Sequence, residues 1–174
     1  MDLTQLKSKV RDIPDFPKPG IVFKDITPLL ADVTSFQTVI DTLAKRYSDK
    51  SIDAVVGIDA RGFIFGGALA YRIDAGFIPV RKFGKLPHQT HHVEYALEYG
   101  TDKIEMHIDA IGPKHRVVMI DDLLATGGTA QAACELIEKT GATIVECAFV
   151  VELVFLKGRE LLKNREVFSL LQYE

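Results

Sequence analysis

Val117-Val118-Met119-Ile120-Asp121-Asp122-Leu123-Leu124-Ala125-Thr126-Gly127-Gly128-Thr129 is the stretch that decides how the rest of the chain is read. It opens on an unbroken apolar run, which suits a strand buried on both faces of a sheet. Two adjacent carboxylates follow, Asp121 and Asp122, and then two glycines at the start of a helical pattern. Gly127 and Gly128 let the backbone curl so that successive N–H groups point inward. The helix N-terminus adds partial positive charge and the hydroxyls of Thr126 and Thr129 add donors, so the turn is suited to a phosphate. No lysine follows the glycines and the GxGxxG spacing is absent, which excludes a Walker loop and argues against a dinucleotide site.

Val55-Val56-Gly57-Ile58-Asp59 has the same form, an apolar run that ends in aspartate. Around these two runs strands and helices alternate. Phe36, Val39, Ile40, Leu43, Ala44 and Tyr47 keep the helical period from residue 34 onward. Further helices are predicted over residues 61–73 and 129–139, the second stopped by Gly141. Strands are predicted over residues 52–58, 76–80, 116–120 and 143–151. This alternation specifies an α/β fold with a parallel sheet flanked by helices on both sides. Ligands bind outside the carboxyl ends of the strands in such a sheet, which is where Asp59, Asp121 and Asp122 fall.

Two stretches break the alternation. Leu3, Leu6 and Val10 predict a short helix over residues 2–11. Asp12-Ile13-Pro14-Asp15-Phe16-Pro17-Lys18-Pro19-Gly20 cannot continue it, because prolines remove backbone donors. A short strand is expected at residues 21–23, ended by Pro28. The pattern lapses again between Val80 and Arg116. Residues 81–90 are basic and aperiodic, while residues 93–100 and 103–108 suit two short strands. An insertion of this length, with little core of its own, reads as a mobile functional loop.

The chain's 174 residues are one domain's worth of sequence, long enough to bury a core without disulfides or metals. At 47% hydrophobic and 26% charged residues, the balance is that of a globular protein rather than a disordered one. Lys and Arg number 21 against 24 Asp and Glu, a formal charge of −3. That sign gives no electrostatic pull toward nucleic acid or acidic membranes, so neither is expected as a partner. Cys134 and Cys147 lie in apolar surroundings without metal-ligand spacing and are read as buried thiols of a reducing compartment. Met1-Asp2-Leu3-Thr4-Gln5-Leu6-Lys7 lacks the apolar core of a signal peptide. No apolar run approaches the ~18 residues of a membrane span, so a cytoplasmic protein is expected.

The run over residues 117–129 resembles the phosphoribosyl-pyrophosphate (PRPP) motif of the type I phosphoribosyltransferases. The likeness extends over nearly the whole chain. It is carried by Phe16-Pro17-Lys18-Pro19-Gly20-Ile21-Val22-Phe23-Lys24-Asp25-Ile26-Thr27-Pro28, Asp59-Ala60-Arg61-Gly62-Phe63, Arg81-Lys82-Phe83-Gly84-Lys85-Leu86-Pro87, Leu97-Glu98-Tyr99-Gly100 and Val151-Glu152-Leu153. The first of these stretches and Leu97-Glu98-Tyr99-Gly100 point to the members of the family that use adenine. The resemblance implies a single domain over residues 1–174. Residues 1–31 would form an amino-terminal helix and a base-binding hood, and residues 32–174 a core with a loop over residues 81–107 that closes over PRPP.

The same resemblance implies roles for individual residues. Ala125, Thr126, Gly127, Gly128 and Thr129 would bind the 5′-phosphate. Asp121 and Asp122 would hold the ribose hydroxyls, directly or through Mg²⁺, a hard cation that carboxylates and phosphates attract. Asp59 and Ala60, expected to be joined by a cis peptide, would form the pyrophosphate loop with Arg61. Arg81, Lys82 and Lys85 would add positive charge to the departing pyrophosphate. Val22, Phe23 and Lys24 would meet the base, with Leu153 closing its opposite face; many members have Arg at position 24. Glu98 would be the catalytic glutamate facing N7 of the purine, with Tyr95 and Tyr99 flanking it. The implied reaction takes adenine and PRPP to AMP and pyrophosphate, and the implied assembly is a homodimer.

His88, His91 and His92 have only Glu94 as a close carboxylate and are read as part of a solvated loop rather than a transition-metal site. Another base, among hypoxanthine, guanine, xanthine and orotate, is the nearest alternative. A PRPP-sensing regulator would carry a DNA-binding appendage or a basic face, and the first 30 residues show no helix-turn-helix pattern. A phosphoacceptor domain using Asp121 and Asp122 leaves the Gly-Gly-Thr turn unexplained.

Overall fold

The computed structural model describes residues 1–96 and 101–174. It divides into two compact units, Met1–Leu43 and Ala44–Glu174. In the first unit, α1 (Leu3–Lys7) is opened by Asp2, whose carboxylate accepts from the Gln5 N–H at 2.8 Å while the Gln5 side chain accepts from the Asp2 N–H at 3.1 Å. The pair forms a capping box that satisfies two otherwise orphaned donors. The helix is shorter than the apolar spacing suggests, because the chain turns into β1 (Arg11–Pro14), which pairs antiparallel with β2 (Val22–Asp25). Pro28 does more than end a strand. It sits in the first turn of α2 (Thr27–Ala31), where its missing N–H is not needed. Helix α3 (Val33–Tyr47) starts at Asp32, whose carboxylate accepts the Ser35 N–H at 2.8 Å.

The second unit is built on a seven-stranded sheet in the order β5-β6-β4-β3-β7-β8-β9. Its elements are β3 (Ala54–Ile58), α4 (Gly62–Arg72), β4 (Gly76–Lys82), β5 (Thr90–Ala96), β6 (Thr101–His107), β7 (Arg116–Leu124), α5 (Gly128–Lys139), β8 (Thr143–Leu153) and β9 (Val167–Tyr173). Strands β4, β3, β7, β8 and β9 run parallel, as expected. The β5–β6 pair adds antiparallel strands along the β4 edge, so the sheet is mixed. Strand β9, which its apolar pattern does not single out, lies along β8 after two short 3₁₀ turns, Val154–Leu156 and Gly158–Leu162.

All five residues of β3 are buried, because both faces of the sheet are covered. Ala130, Ala133, Cys134 and Ile137 of α5 join Val56, Met119 and Phe149 in the main core cluster. On α4, Gly66 comes so close to the sheet that a Cβ there would meet the Phe77 ring and Ile120. The insertion over residues 81–107 does contribute to the core, contrary to its reading as a loop with little core. Val93, Ile104 and Met106 are buried in the same cluster. Alternation along β5 and β6 sends these apolar residues inward while their neighbours stay polar. Cys134 and Cys147 are buried free thiols with their sulfurs 3.4 Å apart.

Candidate active site

Strands β3 and β7 are neighbours, and the chain runs from β3 through α4 to β4 on one side and from β7 through α5 to β8 on the other, which opens a crevice between their carboxyl ends. Asp59 follows β3 and is joined to Ala60 by a cis peptide bond, as the resemblance implies. Arg61 then starts α4. The close approach of this turn to β7 requires a glycine at position 62, since a Cβ there would lie 2.9 Å from Asp121 Oδ1. Across the crevice Arg61 Nε meets Asp122 Oδ2 at 2.6 Å. Asp122 is buried, and its N–H donates to the Asp121 carboxylate at 2.8 Å. Burial, and then the adjoining Asp122 charge, push the Asp121 carboxyl well above the usual carboxylate range.

These groups line a cleft of about 440 Å³. Lys82, at the end of β4, enters it with Nζ 2.9 Å from Asp102. That pairing holds the Asp102 carboxyl below and the Lys82 ammonium above their ordinary values. Tyr95 joins them: its hydroxyl reaches Asp102 at 3.4 Å and accepts from Thr129 at 3.2 Å. Arg81 donates to Asp59 at 3.2 Å and to the Lys85 carbonyl at 3.2 Å. The cleft thus gathers alternating cations and carboxylates around polar hydroxyls, a lining suited to an anionic sugar.

Beside it, residues 125–129 curl into a second, smaller hollow of about 80 Å³. Gly127 is left-handed, with φ of 90°, and immediately precedes α5. A Cβ at Gly127 would strike the Gly158 carbonyl, and one at Gly158 would strike the Ala125 carbonyl and the Leu124 side chain. The two glycines therefore allow the turn to seat against the backbone that follows β8. Arg159 fixes that backbone by gripping the buried Glu152 at 2.6 and 2.7 Å.

The expected residues are distributed as follows. Asp59, Ala60, Arg61, Lys82, Asp121, Asp122 and Thr129 line one cleft. Ala125, Thr126, Gly127 and Gly128 line the hollow beside it. Lys85 is exposed on the turn after β4. Leu153 is half-buried at the end of β8. Val22, Phe23 and Lys24 lie on β2 of the first unit. Val22 is exposed, Phe23 packs edge-on against Phe16 at 5.2 Å, and Lys24 pairs with Asp12 at 2.6 Å. Glu98 and Tyr99 lie outside the described residues. Asp102, Gly158, Glu152 and Arg159 enter the site's surroundings without having been singled out for it. Of the histidines, His92 packs edge-on against Phe83, and exposed His88 sits near His107.

The comparisons with known proteins agree with this geometry. Residues 29–170 match the family described as Phosphoribosyl transferase domain. The chain is 59% identical over 170 residues to the adenine phosphoribosyltransferase of Roseiflexus sp. (strain RS-1), covering 98% of this chain and 99% of that one. The structure superposes on the adenine phosphoribosyltransferase of Thermoanaerobacter pseudethanolicus with a TM-score of 0.95 at 49% identity, covering 99% and 100% of the two chains. It also superposes on the Saccharomyces cerevisiae adenine phosphoribosyltransferase, solved with adenine and an imino-altritol bisphosphate. There the TM-score is 0.92 at 42% identity, with 97% of each chain covered. The chain belongs to the phosphoribosyltransferase family, and within it to the adenine phosphoribosyltransferases.

Proposed function

We propose the following division of labour in the reaction this chain shares with its family. The chain transfers the 5-phosphoribosyl group from PRPP to N9 of adenine, releasing AMP and pyrophosphate. The 5′-phosphate is assigned to the turn of residues 125–129, where backbone amides meet a helix N-terminus. Asp121 and Asp122 take the ribose hydroxyls. Arg61, Arg81, Lys82 and Lys85 face the pyrophosphate, and Asp59 and Ala60 shape its loop. Adenine is assigned to Val22, Phe23, Lys24 and Leu153. Glu98, between Tyr95 and Tyr99, handles the proton at N7. The observation that carries the reading is that the Asp121–Asp122 pair runs directly into the Gly127 turn with Arg61 opposite.

The bond from the anomeric carbon to the pyrophosphate oxygen breaks, leaving an oxocarbenium-like sugar, and N9 bonds to the opposite face. The cations stabilise charge as it gathers on the leaving group, and the cleft walls hold the sugar in position. The chemistry of the two carboxylates supports a role in holding Mg²⁺. Asp121 and Asp122, which both line the cleft, would offer hard carboxylate oxygens to the ion, with substrate oxygens and water completing the shell. When bound, Mg²⁺ supplies further positive charge to the pyrophosphate oxygens.

We read residues 1–174 as one phosphoribosyltransferase domain, and the working assembly as a homodimer. The exposed apolar face of α4 supports the second reading, with Tyr71 87% and Ile64 42% exposed. We also read it as a cytoplasmic enzyme that binds neither membrane nor nucleic acid; no helix among the described residues is long and apolar enough to cross a membrane. Calorimetric titration of PRPP with Mg²⁺ into the wild type and into the Asp121→Asn, Asp122→Asn double variant tests the site. The double variant is expected to bind at least tenfold more weakly; unchanged affinity would contradict the assignment.

A further inference from the structure

Glu105 is a buried carboxylate on β6 that none of the roles above employs. One of its oxygens accepts the N–H groups of Lys85 and Leu86, both at 2.9 Å, and the other accepts the Thr90 hydroxyl at 3.0 Å. Burial by itself would push this carboxyl up. The Leu86, Lys85 and Gly84 amides and the Thr90 hydroxyl outweigh it and hold the group below its ordinary value. A buried charge on a strand is costly unless such a full set of donors meets it.

The amide donors lie in the turn that follows β4, and Thr90 stands where that connection enters β5. In the β4–β6 pairing Arg81 stands opposite Glu105. The chain leaving β4 folds back beside β6, with the Phe83 N–H donating to the Lys103 carbonyl at 2.9 Å. The Glu105 carboxylate is the group around which this turn is wound. The contacts continue toward the cleft, since the Lys85 carbonyl accepts from Arg81, and Arg81 also donates to Asp59.

We propose that Glu105 is a positioning residue for PRPP, fixing the turn of residues 83–90 so that Lys85 and Arg81 are held ready for the pyrophosphate. The inference rests on the assignment of Lys85 and Arg81 above. It explains why the polar face of β6 carries an acid that is itself buried. A carboxylate serves here because several amides of a tight turn must share one acceptor pair.

The test compares Glu105→Ala, Glu105→Gln and Thr90→Val by steady-state kinetics in each substrate, together with hydrogen exchange of the 84–86 amides. Glu105→Ala is expected to raise KM for PRPP at least tenfold with KM for adenine within twofold, and to speed exchange of those amides at least tenfold. Glu105→Gln keeps the shape and an acceptor oxygen, so it is expected to stay within threefold of wild type. Thr90→Val, which removes the one donor that β5 contributes, is expected to raise KM for PRPP two- to fivefold even if Glu105→Ala does not fold. Folded Glu105→Ala with unchanged KM for PRPP, equal losses for both substrates, or an unchanged Thr90→Val would overturn the proposal. Lys85→Ala, run alongside, separates the two layers. If it changes nothing, the role of Lys85 falls. If it weakens PRPP use while Glu105→Ala does not, only the present inference falls.

Discussion

Arg61 and Asp122 meet at 2.6 Å across the crevice between β3 and β7, one at the start of α4 and the other buried at the end of β7. The contact couples the loop assigned to pyrophosphate with the carboxylates assigned to ribose. Arg61→Ala is therefore expected to lower kcat/KM for PRPP about 10²-fold or more, through lost charge stabilisation at the leaving group. Inhibition by added pyrophosphate should weaken in parallel. Arg61→Lys keeps the charge but not the planar fork, and should fall between the two. Initial rates with PRPP varied, plus a pyrophosphate inhibition series, check this.

Gly158 is the second probe, because its effect on the phosphate turn is steric. A Cβ at this position would press on the Ala125 carbonyl and displace the turn. Gly158→Ala is expected to cost about 1–3 kcal/mol of stability by overpacking. It should also lower kcat/KM for PRPP by about 10²-fold, the scale of a 1 Å misplacement. Urea denaturation alongside kinetics separates the two effects. Unchanged PRPP kinetics in the folded variant would show that the turn does not depend on this contact.

Glu98→Gln removes the group assigned to the purine proton while keeping its shape. Loss of a general acid or base lowers turnover by about 10²–10⁴-fold, and PRPP affinity should stay as it is. A variant with unaltered turnover on adenine would remove Glu98 from the mechanism.

The ends of β3 and β7 were legible because burial on both faces leaves unbroken apolar runs, and an acid at the end of such a run has no packing reason to be there. The Gly127 turn was legible because its need for left-handed backbone is local. Partnerships between distant segments were not. Asp102 acquires its place through Lys82 and Tyr95, and Gly158 through Ala125, contacts that no local spacing encodes. Strand β1 was hidden because it ends in a proline-rich stretch, where Pro14 is tolerated at the strand's last position. The strands carrying Val93, Ile104 and Met106 were legible, but their place in the core was not, because β5 and β6 alternate apolar with polar residues and so show no continuous run. The cis bond between Asp59 and Ala60 came from the resemblance alone; neither residue type announces it.

Glu146 offers a pH test away from the chemistry. It is buried and accepts from Arg46 at 2.6 and 2.7 Å and from Tyr47 at 2.7 Å. Burial pushes it up, but Arg46 and Tyr47 outweigh this and hold it below its ordinary value. A depressed carboxyl contributes stability above its unfolded value, and that contribution is lost as the pH falls through the folded value. Glu146→Gln should therefore be less stable than wild type at pH 7, by about 3 kcal/mol, the scale for breaking a buried pair. The gap should narrow as the pH is lowered through the range below about 4.5. Urea midpoints for both proteins between pH 7 and pH 3 decide it, and a gap independent of pH would contradict the assigned cause.

The most direct measurement supplies the purified protein with PRPP, Mg²⁺ and each of adenine, hypoxanthine, guanine, xanthine and orotate in turn, following nucleotide and pyrophosphate together. The expected result is AMP and pyrophosphate in equal amounts from adenine alone, abolished when Mg²⁺ is chelated and restored when it is returned. Comparable turnover of another base would contradict the assignment of Val22, Phe23, Lys24 and Leu153 to adenine. Absence of any product would contradict the reading of the crevice itself.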